Sequence, residues 1–157
     1  EREGTVTAGN APGLNDGAAA LVLASESYAQ RMGVAPLARL VATGRVSAPP
    51  DAINVVPARA ARAALAAADL QASDIDLWEI NEAFAAVTLT SIEELEVDPE
   101  RVNVNGGSIA IGHPVGATGA RILMTMIYEL QRRGGGLGVA TICGAGANGC
   151  AVVVKVG

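Results

Sequence analysis

The pattern over residues 117–133 constrains the fold most. Ile122, Leu123, Met126, Ile127 and Leu130 recur at helical spacing and form one apolar stripe. Gly134-Gly135-Gly136 then stops the helix. A helix that is apolar on one side only must lie against another layer. Half of the residues are hydrophobic but only 3% are aromatic, so alanine, valine, leucine and glycine must build that contact. Small side chains favour close-packed layers of helix and sheet.

The remaining sequence supplies the sheet. Short apolar runs predict strands at 18–24, 37–46, 77–80, 101–104, 137–142 and 150–156. The run Ala18-Ala19-Ala20-Leu21-Val22-Leu23-Ala24 is continuously apolar and reads as a strand buried on both faces. Helical patterns cover 25–32, ended by Gly33, then 57–68 with Pro57 in the first turn, then 82–96, ended by Asp98-Pro99. Strands alternating with helices predict an α/β layered fold. The last two strands have no helix between them and are expected to pair antiparallel across the loop 144–149.

Charge and composition exclude several functions. The net charge is -5, and the only paired basic residues are Arg59/Arg62 and Arg132/Arg133, so a nucleic-acid partner is not expected. No apolar run approaches the ~18 residues of a membrane span. Glu1-Arg2-Glu3-Gly4 leads into no signal-peptide pattern. Cys143 and Cys150 make no disulfide framework, which fits a reducing, cytoplasmic compartment. With His113 they match no zinc spacing, so no metal site is expected.

One motif misleads. Gly144-Ala145-Gly146-Ala147-Asn148-Gly149 has dinucleotide-fingerprint spacing and follows a strand. That fingerprint needs a helix next, to meet a pyrophosphate, and a strand pattern follows instead.

Three residues carry candidate chemistry. His113, the single histidine, lies in Gly112-His113-Pro114 just before a helix. Alone, it favours a hydrogen-bonded turn. Cys143 leaves a strand for a loop of small residues, where a thiol gains access; alone, it could equally be a small buried hydrophobe. Cys150 shares a strand face with Val152 and Val154 and reads as core. Asn81 follows strand 77–80 at its C-terminal end, where α/β sheets gather ligands, but it could also cap the next helix.

Their context is specific. Asn81-Glu82-Ala83-Phe84-Ala85, the stretch from Asn103 through Gly106-Gly107-Ser108 and Gly112-His113-Pro114 to Gly119, and Cys143-Gly144-Ala145-Gly146-Ala147-Asn148-Gly149 resemble three thiolase signatures in order and spacing. Gly4-Thr5-Val6-Thr7-Ala8-Gly9-Asn10 with Asn15-Asp16-Gly17-Ala18-Ala19 resembles a fourth. The resemblance covers nearly the whole chain and implies the C-terminal portion of a thiolase. Residues 1–33 would finish the N-terminal domain. Residues 34–157 would be the C-terminal domain, with a mixed five-stranded sheet and helices.

The resemblance implies reversible Claisen condensation and thiolysis of 3-ketoacyl-CoA, in fatty acid metabolism. Coenzyme A would be substrate or product, and no cofactor is expected. His113 would activate a nucleophilic cysteine and donate to a thioester oxygen. Asn81 would hold a water completing that oxyanion site. Cys143 would move the proton at the α-carbon of acetyl-CoA. The backbone N–H of Ala145 would serve a second oxyanion hole, and Pro12, Gly112 and Gly144 would lie against substrate or CoA. The expected partners are the N-terminal thiolase half and further copies of the chain.

The chain departs from the family in places. No cysteine precedes Cys143, so the acyl-accepting thiol is missing and the chain alone is expected to be inactive. The run 18–24 would lack sheet partners and expose apolar surface. Pro12 stands where the family often has serine, and residues 51–58 lack its Met-Gly and Gly-Pro pairs. Ala145 replaces a usual glycine, a mild change if its φ is negative. The alternative is a non-catalytic fragment or partner subunit with the same fold. Asn81-Glu82-Ala83-Phe84 argues against a ketoacyl synthase or a lipid-carrier-associated relative, in which a histidine motif stands there.

Overall fold

The computed structural model describes residues 4–157. Helix α1 (Glu26–Met32) starts where the Ser25 side chain accepts a hydrogen bond from the Tyr28 N–H, and ends at Gly33, whose φ of 64° is left-handed. Strand β1 (Arg39–Ser47), helix α2 (Val56–Ala67), strand β2 (Leu77–Ile80) and helix α3 (Ala85–Leu95) follow. The short helix α4 (Ser108–Ile111), the long helix α5 (Thr118–Arg132) and strands β3 (Gly136–Gly144) and β4 (Asn148–Val156) complete the order.

The strands form one sheet in the order β1-β4-β3-β2. Strands β3 and β4 pair antiparallel as a hairpin, as expected, and β1 lies antiparallel along the far side of β4. Strand β2 runs parallel to β3, so the sheet is mixed.

Helices cover both faces. Helix α2 brings Ala58, Ala60, Ala61 and Ala64 against Trp78, Ile80, Val139 and Val153. Its alanines suit glycines in the strands beneath: a Cβ at Gly44 would collide with the Ala60 carbonyl, and one at Gly149 with the Val56 carbonyl. Helix α5 covers the other face with Ile122, Met126, Ile127 and Leu130 over Leu77, Ala140, Val154 and Val156. Burying each of those large helix side chains is worth about 2 kcal/mol. The stripe read from residues 117–133 is therefore the inner face of α5.

Three expectations are corrected. The sheet has four strands, not five, because residues 101–104 make only a single bridge, Val102 beside Trp78. Asn103 takes a left-handed φ of 48°, which breaks an extended run. Its side chain replaces the missing ladder: Oδ1 accepts from the Ile80 N–H and Nδ2 donates to the Ile80 carbonyl, both at 2.8 Å. Second, residues 18–24 form no strand. No neighbouring strand pairs with them among the described residues, and Val22 is 96% exposed. The expected apolar exposure is thus present, without the strand. Third, α3 begins at Ala85, not at residue 82, because the Ala83 N–H turns back to the Asn81 carbonyl and Phe84 is extended.

Candidate active site

Asn81 and Cys143 lie at the C-terminal ends of β2 and β3. These strands are parallel, with Ile80 beside Thr141. The Asn81 N–H prolongs the pairing by donating to the Thr141 carbonyl at 3.0 Å. Asn81 and Cys143 therefore emerge from adjacent strand ends, on strands roughly 4.8 Å apart. The Thr141 hydroxyl donates to the Pro57 carbonyl at 2.9 Å and ties this end of β3 to the first turn of α2.

Strand alternation gives the two cysteines different surroundings. Cys143 pairs with Gly149, whereas Cys150 pairs with Ile142, so the two side chains leave opposite faces of the sheet and remain free thiols. Both are half-buried, so Cys150 is less enclosed than a core position. Burial pushes the Cys143 thiol above its ordinary pKa, which keeps it protonated at neutral pH.

Asn81 is 1% exposed. Its Oδ1 accepts from the Ser108 hydroxyl at 2.7 Å, and Ser108 Oγ accepts in turn from Arg121 Nη2 at 3.0 Å. The Asn81 Nδ2 is buried with no partner among the described residues. The neighbouring Glu82 accepts from the Ile109 N–H at 2.8 Å, and its carboxylate fills the space a side chain at Gly107 would need. Glu79, in the middle of β2, is buried, and that burial raises its pKa to about 7; Arg121 opposes the rise and Glu82 adds to it.

Helix α4 carries the chain from Ser108 to the histidine. Its four residues advance the backbone by about 6 Å. Gly112, at a φ of 93°, then turns the chain, and His113 follows. His113 Nδ1 lies 2.8 Å from the Thr118 Oγ1, and that hydroxyl also lies 3.0 Å from the Pro114 carbonyl. The carbonyl can only accept, so it takes the hydroxyl proton. Nδ1 then donates to Thr118, which leaves Nε2 as the bare acceptor. Burial, and then the charge of Arg121, lower the His113 pKa, so the ring is neutral at pH 7.

Residues 10–15 fasten the histidine from the other side. The His113 N–H donates to the Gly13 carbonyl at 2.9 Å and lies 3.2 Å from the Asn15 Oδ1. A Cβ at Gly112 would strike the Asn15 carboxamide, so only glycine admits this packing. Pro12 is half-buried in the same segment, and Asn10 accepts from the Ala85 N–H at the start of α3.

Gly144 and Ala145 lie exposed at the tip of the β3–β4 hairpin. The left-handed residues there are Gly146 and Ala147, so Ala145 needs no glycine. Asn148 Nδ2 donates to the Ala145 carbonyl at 2.9 Å and braces the turn.

Asn81 and His113 are thus joined through Ser108 and α4, and Asn81 and Cys143 through neighbouring strands. Among the described residues, no hydrogen bond links these three side chains directly. Sequence reasoning singled out none of Glu79, Ser108, Arg121 and Thr118. One signal was present: Glu79 is a carboxylate inside Leu77-Trp78-Glu79-Ile80, a strand apolar on both sides of it. Among the described residues, no helix is long and apolar enough to cross a membrane.

Residues 34–156 match the family model for the thiolase C-terminal domain, and residues 1–27 match that for the thiolase N-terminal domain. The chain is 51% identical to an acetyl-CoA acetyltransferase of Shinella zoogloeoides over 155 residues, covering 99% of this chain and 40% of that protein. It is 51% identical to one of Escherichia coli (strain K12), covering 99% of this chain and 39% of that protein. The crystal structure of the Bacillus anthracis acetyl-CoA acetyltransferase superposes with a TM-score of 0.95 at 48% identity, covering 98% of this chain and 39% of that one. That of human mitochondrial 3-ketoacyl-CoA thiolase gives 0.90 at 39% identity, with the same coverage. The chain therefore spans about two fifths of the length of these relatives.

Proposed function

Because the chain belongs to the thiolase family and matches the C-terminal portion of one, we propose that it supplies the His113, Asn81 and Cys143 part of an acetyl-CoA C-acyltransferase site. In this reading the acyl-accepting cysteine comes from an N-terminal thiolase half, and residues 1–33 complete that half. His113 Nε2 takes the proton of that thiol. The thiolate attacks the acyl-CoA thioester, an acyl–enzyme bond forms, and CoA leaves with a proton. Asn81 and His113 then face the thioester oxygen, Asn81 through a held water. Cys143 next gives its thiol proton to solvent, and the thiolate so formed removes a proton from the α-carbon of acetyl-CoA and returns to the thiol; the acyl-accepting cysteine, freed as a thiolate in the step that follows, takes a proton back from solvent. The resulting enolate attacks the acyl–enzyme carbonyl, the carbon–carbon bond forms and the cysteine–acyl bond breaks. The N–H of Ala145 steadies the enolate oxygen, and Pro12, Gly112 and Gly144 lie along the bound CoA.

Thiolysis is the reverse. There the departing enolate takes its proton from Cys143, and a thiol kept protonated by burial is the competent form for that step. CoA is substrate or product, with no separate cofactor. We place the protein in a reducing, cytoplasmic setting, acting as a homo-oligomer in fatty acid metabolism; its two free thiols favour the compartment.

One observation carries the proposal. Thr118 occupies His113 Nδ1, leaving the Nε2 lone pair for a thiol proton, while one short helix away Asn81 keeps a buried donor without a partner among the described residues. The test uses this chain joined to a thiolase N-terminal portion. Cys143→Ala is expected to stop carbon–carbon bond formation while acetyl exchange between CoA and the enzyme persists. Loss of both steps together would rule out Cys143 as the α-carbon base. The unjoined chain is expected to show no CoA-dependent consumption of acetoacetyl-CoA, and turnover by it would contradict the proposal.

A further inference from the structure

We propose that Ser108, itself held by Arg121, is a positioning residue that fixes the Asn81 carboxamide with its Nδ2 donor turned toward the substrate. The inference rests on the thiolase reading for its consequence, and on the hydrogen bonds of Ser108 for its geometry.

A carboxamide can sit either way round, and its two ends have opposite chemistry. If the oxygen of Asn81 faced the thioester, it would repel the negative charge that develops there. The neighbouring groups decide the orientation. A guanidinium only donates, so Arg121 Nη2 must give its proton to Ser108 Oγ. The Ser108 hydroxyl proton then needs an acceptor, and Asn81 Oδ1 lies 2.7 Å away. Reversing the amide would strand the hydroxyl proton and bury an unpaired oxygen in a residue 1% exposed. The chain of donors therefore runs from Arg121 through Ser108 to Asn81, and ends on Nδ2, a buried amide group with no partner among the described residues.

The same chain strengthens the terminal donor. Each hydrogen bond in a directed series polarises the next, and this one starts at a full positive charge. Arg121 thereby acts on both groups expected to meet the oxyanion. It reaches Asn81 through Ser108, and it acts on His113 through space. Ser108 is suited to its part because it is 1% exposed and begins α4, the helix that also sets the distance to His113.

The test is a double-mutant cycle in the chain joined to a thiolase N-terminal portion, read as thiolysis of acetoacetyl-CoA. Ser108→Ala is expected to lower kcat about tenfold and to leave KM within about twofold, since the lost interaction matters in the transition state. In an Asn81→Ala background the same substitution is expected to cost less than about twofold. Equal losses in both backgrounds would show that Ser108 does not act through Asn81 and would overturn the proposal. Ser108→Thr keeps the hydroxyl and is expected to recover most of the rate.

A second measurement covers the case in which the added methyl does not fit this buried site. In the 157-residue chain, the side-chain amide signals of Asn81, assigned by their loss in Asn81→Ala, are expected to shift and exchange faster in Ser108→Ala. Unchanged signals would overturn the positioning role. If the unmutated joined protein shows no turnover, the thiolase reading fails by itself, and the amide signals still judge Ser108.

Discussion

Glu79 and Glu129 are both nearly excluded from solvent, at 3% and 6% exposure, and each has arginines of helix α5 or its C-terminal cap nearby. Their proton affinities nonetheless diverge. Hydrogen bonds from Arg132, then from Arg133, hold the Glu129 carboxyl down at about 2. Burial lifts Glu79 to about 7 although the charge of Arg121 opposes it. The difference lies first in the heavier desolvation of Glu79, and then in where the guanidinium protons go. Arg132 gives Glu129 two hydrogen bonds, at 2.8 and 2.6 Å, and Arg133 gives a third at 2.6 Å. Arg121 Nη2 donates to Ser108 Oγ instead, at 3.0 Å. A nearby positive charge is therefore not enough to keep a buried carboxylate ionised; direct donation is what does so. At one end of α5 the arginines donate to a carboxylate, while at the other Arg121 donates to a hydroxyl.

The comparison fixes opposite pH slopes. Glu129 binds protons less readily when folded, so its stabilisation is present above its ordinary value of 4.5 and is lost as pH falls toward about 2. Glu79 binds protons more readily when folded, so stability falls as pH rises from 4.5 through about 7. His113, whose folded value is lowered, gives a rise up to 6.5 that partly offsets this fall.

The largest expected effect is that of Glu79→Gln, which mimics the protonated acid. Above pH 7 it should stabilise the chain by up to about 3 kcal/mol in urea denaturation and flatten the decline between 4.5 and 7. An unchanged slope would break the comparison at its first member. Arg121→Met should cost about 2 kcal/mol, because it leaves Ser108 without its donor and Glu79 without its opposing charge. It should also raise the His113 pKa, which NMR can follow without ambiguity because the chain has one histidine. Glu129→Gln should have a smaller effect, a loss of stability above pH 4.5 that vanishes near pH 2. Arg132→Ala should change least, since its side chain is 71% exposed and Arg133 still holds the carboxylate. A large loss in Arg132→Ala would show that the two arginines act as one unit.

Much of the architecture was legible because its signals are local. Gly33 stops α1, the apolar stripe marks α5, and Leu77–Ile80 forms the strand expected of it. Two of the three misreadings involve partners distant in sequence; the third, the start of α3, is a local turn at Ala83. Residues 18–24 have the composition of a buried strand, but composition supplies no ladder. Residues 101–104 alternate suitably, yet the hydrogen bonds of Asn103 to Ile80, twenty-three positions away, favour a single bridged turn. The site divides in the same way. Asn81, His113 and Cys143 stand in motifs, so sequence order singled them out. Ser108 and Arg121 stood inside or beside those motifs without distinction. Their part depends on a burial and a direction of donation that only the packed α4 and α5 create.

Asn103 has one more consequence. By occupying both the N–H and the carbonyl of Ile80 with a side chain, it closes the β2 margin of the sheet to lateral extension. At the opposite margin, β1 pairs only with β4 among the described residues, and its outer hydrogen-bonding groups face away from the sheet. The two margins of the sheet therefore differ: one is closed at Ile80 by a side-chain amide, and the other, β1, has no strand beyond it among the described residues.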